Sequence, residues 1–169
     1  MTLEFPTLAH KDAAWAYRQE FFDAGETHIP GGAMIATAPS YEFWLEVVQS
    51  APTREDDFYV PSSTYFAVVE GNIVGIVDIR HKLNDFLTQS GGHIGYSVRP
   101  TERRKEYATK MLRAALEKCR EIGIDRVLVT CDKGNVASQK TILNNGGVYE
   151  DTFKDKKHGD VLRYWINIK

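Results

Sequence analysis

Residues His93 to Leu112 read HIGYSVRPTERRKEYATKML. A short apolar run, Ile94 to Val98, ends before Pro100, whose missing N–H interrupts a strand ladder. Arg103, Arg104 and Lys105 then make a basic turn. From about Arg104 to Ile122 the apolar residues Ala108, Met111, Leu112, Ala115, Cys119 and Ile122 recur at helical spacing, and Gly123 supplies a C-cap. Strand, cationic turn, helix start is an order that builds an anion site, because the first helical turn has unpaired N–H groups at the positive end of the dipole. The same residues also describe a plain strand–helix join whose charges face water.

Downstream, Arg126 to Cys131 is a β-branched run that reads as a buried strand, parallel to its neighbour. Ala137 to Asn144 is a short helix stopped by Asn145-Gly146-Gly147, and Val148 to Phe153 with Val161 to Ile168 forms a hairpin around Lys154 to Gly159. Upstream, Leu3 to Pro6 is a short strand, and His10 to Ala24 a helix on the spacing of Ala13, Ala14, Tyr17, Phe21 and Phe22. Pro30-Gly31-Gly32 marks a loop, and Ser40 caps a second helix carrying Phe43, Trp44, Val47 and Val48. Thr53 to Pro61 is a polar loop; Thr64 to Val69 and Ile73 to Ile79 are strands joined at Glu70-Gly71-Asn72. Lys82 to Gly92 is a polar connection. The order βααβββαβαββ predicts a single α/β (α+β) domain over residues 1–169. It has a mixed, mostly antiparallel sheet of about six or seven strands flanked by about four helices.

Composition bounds the function. A 169-residue chain with 43% apolar and 26% charged residues is globular, and a net charge of −2 gives no general attraction to nucleic acid or to a membrane. No apolar run reaches the roughly eighteen residues of a span, and Met1 to His10 lacks the pattern of a secretory signal. Cys119 and Cys131 have no metal-site spacing, so a cytoplasmic protein with reduced thiols and no metal is expected.

The 93–112 stretch resembles the acyl-CoA-binding motif of the GNAT acetyltransferases, Arg/Gln-x-x-Gly-x-Gly/Ala. Arg103 and Ala108 match its ends, and Glu106 stands at its glycine. The element order is also that of the GNAT fold. Asn135 to Gly147 resembles the family's closing motif, with Asn135, Ser138, Lys140 and Gly146 in register and Ile142 where many members have a tyrosine that protonates the leaving thiolate. The resemblance implies acetyl-CoA as co-substrate, with its pyrophosphate on Arg103, Arg104, Lys105, Glu106, Tyr107, Ala108 and Thr109. Its pantetheine arm would pair with the backbone of Tyr96, Ser97 and Val98 and contact Asn135, and Lys140 would reach a phosphate. It implies N-acetylation of a primary amine, on a small molecule or a peptide, by direct attack.

Glu106 is expected to weaken cofactor binding by charge without abolishing it, and a left-handed φ there would add about 1 kcal/mol of strain. A helical φ would instead suit a carboxylate at a helix start. His93, at the start of the fourth strand, is the candidate general base, with Asp78 and Asp132 as weaker relays through water. Tyr96, Tyr149 or Tyr164, or water, could stand in for the missing acid. Cys131 reads as a structural thiol. Asp23, Glu26, Glu42 and Glu46 hint at a cationic acceptor, although solvated helix faces explain them equally well. Two other readings share the fold: a non-catalytic acyl-CoA sensor, and a degenerate member that acts as an interaction protein, dimeric through its C-terminal strands.

Overall fold

β3 (Asn72–Arg80) is buried along almost its whole length because helices cover both faces of its sheet. On one face Phe66, Ile73 and Ile76 pack with Tyr17 and Phe21 of α1 (Lys11–Asp23) and with Tyr41 and Trp44 of α2 (Tyr41–Ser50). On the other face Ala67, Val77 and Ile79 pack with Met111, Leu112 and Ala115 of α3 (Tyr107–Glu121). Each fully buried Leu, Ile or Met contributes about 1.5–3 kcal/mol. The apolar stripe of α3 is therefore what holds it over the sheet rather than helix propensity alone. This computed structural model describes residues 1–56, 58–155 and 159–169, so the tip of the C-terminal hairpin predicted at 154–159 lies partly outside them.

The remaining elements are β1 (Thr2–Glu4), β2 (Ser62–Val69), β4 (Ile94–Val98), β5 (Arg126–Asp132), α4 (Val136–Leu143), β6 (Val148–Asp155) and β7 (Gly159–Asn167). Among the described residues, seven strands and four α-helices follow one another in the predicted order. The strands form two antiparallel sheets, β1-β2-β3-β4 and β5-β7-β6. The connection before β4 closes with a π-helical turn, Leu87–Gly91.

Two expectations change. The ladder partner of β5 is β7, antiparallel, and not a parallel neighbour. β5 is instead bonded to the segment just before β4: the His93 N–H donates to the Leu128 carbonyl at 2.7 Å, and the Thr130 hydroxyl donates to the Ser90 carbonyl. Gly92 makes that approach feasible, since its φ is +63° and a Cβ there would lie 2.8 Å from the Leu128 oxygen. The helix predicted from about Arg104 begins at Tyr107, because Arg104 and Glu106 both take left-handed φ values of 63°. Its far end closes as Gly123 implied: the Gly123 N–H donates to Arg120 and that of Ile124 to Cys119, a Schellman pair.

Candidate active site

Beyond the His93–Leu128 contact β4 and β5 part, and a cleft of about 880 Å3 opens between Ile94–Val98 and Thr130–Asp132. The start of α3 closes one end of it and α4 contributes Asn135 and Ser138 to its floor. The Arg80 N–H donates to the His93 carbonyl and the Arg99 N–H to the Val74 carbonyl. On an antiparallel ladder alternate residues face the partner, so Gly95 and Ser97 also turn toward β3. The backbone groups of Ile94, Tyr96 and Val98 then face the cleft, and the Val98 carbonyl accepts from Arg103 Nε across it at 3.3 Å. An open strand edge of this kind pairs with any extended amide-bearing chain.

The turn at the cleft's end is built from left-handed residues. Glu106 has φ 63° and ψ 9°, so it carries the strain a glycine would not. Its side chain is exposed and makes no capping bond, although Glu106 occupies the N-cap position. Among the described residues, no bond takes up the N–H groups of Lys105, Glu106, Tyr107, Ala108 or Thr109; the first to be used at the helix start is that of Lys110, which donates to Glu106. Unpaired amides beside a left-handed residue form an anion-binding concavity. The cations are less free than the sequence implied. Arg103 is held by both oxygens of Glu26, at 2.6 and 2.8 Å, and lies over the Phe21 ring; Lys105 pairs with Glu102. Arg104 lines the cleft without a partner among the described residues.

Comparison with known proteins bears on the same segments. The acetyltransferase (GNAT) family model matches residues 32–145. The chain belongs to the GNAT acetyltransferases. Acetyl-CoA is the co-substrate of this family. Among curated proteins none matches the chain by sequence. Solved structures share the fold at low identity. The microcin C7 self-immunity acetyltransferase MccE, in complex with acetyl-CoA and AMP, is 16% identical with a TM-score of 0.71, over 99% of this chain and 92% of that one. Mycobacterium smegmatis RimJ, in complex with CoA-disulfide, is 19% identical with a TM-score of 0.72, over 98% and 80%. A mutant form of spermidine N-acetyltransferase SpeG from Vibrio cholerae is 12% identical with a TM-score of 0.68, over 99% and 95%.

Three features meet at the cleft: an open β4 edge, unpaired amides at the α3 start, and Asn135, which caps α4 by accepting from the Ser138 N–H at 3.0 Å. Lys140 is exposed and lies outside the cleft lining. Ile142 is fully buried and has no polar function. Tyr96 lines the cleft. Its hydroxyl is 2.8 Å from the Ser138 hydroxyl, and burial pushes its pKa up to about 12, against the pull of that bond. The ring thus keeps its proton at neutral pH. Tyr149 and Tyr164 do not line the cleft. Ser97 is fixed from behind by Tyr17, whose hydroxyl lies 2.9 Å from its Oγ and donates to its carbonyl at 3.2 Å. Cys131 lines the cleft, but burial pushes its thiol up to about 11, leaving it neutral.

His93 is placed away from the cleft lining. It is buried against Trp165, and its Nδ1 accepts from the Leu128 N–H at 2.9 Å. The neutral ring therefore carries its proton on Nε2. Burial lowers its pKa to about 4; the Arg80 charge adds to this and the Leu128 backbone opposes it. These are the properties of a pin between the two sheets, with a basicity too low for a protonated amine. Asp78 is also buried, bonded to Thr64 and facing Arg80, and burial raises its pKa against the Arg80 charge. Asp132 lines the cleft and is exposed.

Three of the four acidic residues that hinted at a cationic acceptor are already paired. Glu26 is taken by Arg103, Glu42 pairs with Lys11, and Asp23 accepts from Gln19. Glu46 lies in a separate shallow hollow with Glu42. Two cleft residues had no signal in the sequence: His28, exposed on the α1–α2 loop, and Arg80 at the end of β3. Nothing in a loop histidine or a strand-end arginine distinguishes them from solvated surface. Among the described residues no helix is long and apolar enough to cross a membrane.

Proposed function

We propose that this chain transfers an acetyl group from acetyl-CoA to a primary amine by direct attack, with no acyl-enzyme. The observation that carries this reading is the open edge of β4 running toward the unpaired amides that precede and begin α3. Bound acetyl-CoA would supply a thioester. The amides of Lys105 to Thr109 would hold its pyrophosphate, and the cleft-facing N–H groups of β4 would hold its pantetheine arm and polarise the acetyl carbonyl. Asn135 and Ser138 would flank the arm. Tyr96 donates its proton to the departing sulfur, with Ser138 orienting its hydroxyl. His28, exposed where the α1–α2 loop lines the cleft, would receive the amine proton through water. Arg103 acts as a brace between the α1–α2 loop and the turn, held by Glu26, rather than as a phosphate ligand.

A second reading draws on Glu106 and Ile142: a sensor that binds acyl-CoA and transfers nothing. Thiol release from acetyl-CoA over a panel of primary amines separates the two. Amine-dependent release supports transfer. Acetyl-CoA binding with no release above the uncatalysed rate for any amine supports the sensor.

A further inference from the structure

Arg80 lines the cleft on the side of the α1–α2 loop, beside His28 and Pro30. It leaves the end of β3 and crosses above Gly95, so closely that a Cβ on that glycine would lie 3.2 Å from Nη1 and 3.3 Å from Nη2. The absence of a side chain at residue 95 is what lets the guanidinium reach the cleft. One residue further along β4 is Tyr96, whose backbone faces the cleft where the reacting carbonyl is proposed to lie. Gly31, from the α1–α2 loop, is the other close neighbour at this point, 3.4 Å from the same Cβ position.

The guanidinium is anchored and only partly used. Nε faces Asp78 Oδ2 at 2.9 Å, and Nη1 donates to the Gly91 carbonyl at 3.2 Å. A guanidinium has five N–H donors in a planar fork. No hydrogen bond among the described residues takes up the others. The side chain is 24% exposed, and it lines the cleft with His28, Pro30 and Ser90. Its rotamer is thus fixed from behind, at little further entropic cost to a ligand, while unpaired donors remain on the cleft side.

We infer that Arg80 recognises a carboxylate on the acceptor, so that the amine acetylated is of the amino-acid type, with its amine and carboxylate a short distance apart. This rests on the acyl-transfer reading. Fixed planar donors match a carboxylate, and one guanidinium already facing Asp78 suits a singly charged group better than a phosphate dianion. Of the other charged groups lining the cleft, Glu26 is bound by Arg103 and Glu102 by Lys105, Arg104 and Glu106 belong to the turn before α3, and Asp132 ends β5. A polyamine would bring a second cation against Arg80, which disfavours it.

The test needs no mutation at first. Acetyl-CoA binding is measured by calorimetry. The acetyl-CoA-loaded protein is then assayed by thiol release, and the CoA-loaded protein by ligand-observed NMR. The ligands are common α-amino acids, their carboxamides, the corresponding decarboxylated amines, phosphoethanolamine and spermidine. The inference predicts at least tenfold higher kcat/KM, or at least tenfold tighter binding, for one or more carboxylates over the matched amide and amine. Arg80→Lys, which keeps a cation beside Asp78, is expected to reduce that ratio at least fivefold through KM and leave acetyl-CoA affinity unchanged. Equal use of amide or amine, preference for phosphoethanolamine or spermidine, binding of nothing in the panel, or an unchanged ratio in Arg80→Lys would each overturn the inference while acetyl-CoA binding still stood. Failure to bind acetyl-CoA at all would overturn the acyl-transfer reading as well.

Discussion

Replacing His93 by phenylalanine separates a sheet pin from a general base. The ring packs against Trp165, so phenylalanine retains the apolar contact but removes the Nδ1 acceptor for the Leu128 N–H. A buried donor left without a partner costs about 1–3 kcal/mol. The second effect is on pH dependence. His93 titrates at about 4 in the fold, against 6.5 for an ordinary histidine. The unfolded chain therefore takes up the proton first as pH falls. The stability that depends on the neutral ring is complete above about pH 6.5 and gone below about pH 4. The whole effect is about 3 kcal/mol, of which about 2 kcal/mol is lost between pH 7 and pH 5. Urea unfolding of both proteins at pH 7 and pH 5, followed by circular dichroism, reads it directly, since carboxylates common to both cancel in the difference. His93→Phe should be less stable at pH 7 and lose about 2 kcal/mol less on acidification. Parallel pH slopes, or an unfolding curve at pH 7 identical to wild type with kcat abolished, would refute the pin and return His93 to the chemistry.

The other predictions concern the cleft. Tyr96→Phe removes the proposed acid but not the backbone that faces the cleft. It should lower kcat about 10- to 100-fold with acetyl-CoA affinity preserved, the modest size reflecting a thiolate that leaves fairly well unaided; equal kcat in steady-state assays would remove Tyr96 from the mechanism. Asn135→Ala deletes the α4 cap and should destabilise the fold by about 1 kcal/mol in chemical unfolding, with weaker acetyl-CoA binding. A stability loss with unchanged affinity would mean that Asn135 only caps.

Element order was legible in the sequence because period differs so clearly between segments. The α3 stripe and the apolar runs of β3 and β5 left few arrangements, and Ser40 and Gly123 cap where they were read. Local rules failed where distant parts of the chain decide. Charged residues at 104–106 read as a helix start, yet the turn takes left-handed φ at Arg104 and Glu106. Arg103 read as a free cation because its partner, Glu26, is 77 residues away. Alternation alone could not assign the face of His93; a positive φ at Gly92 and the meeting with Leu128 place it between the sheets. Arg80 gave no sign because its role depends on the missing side chain at Gly95, on another strand.

Calorimetric titration of acetyl-CoA into the protein and into Glu106→Gly tests the central claim most directly. Glycine relieves about 1 kcal/mol of left-handed strain and adds unfolded-state entropy of similar size, so the two proteins should unfold at nearly the same temperature. The exposed carboxylate beside a phosphate, screened by solvent, then accounts for about 1 kcal/mol of binding. The account predicts micromolar binding to the protein as it stands and about 3- to 10-fold tighter binding to Glu106→Gly. No binding by either protein would contradict it.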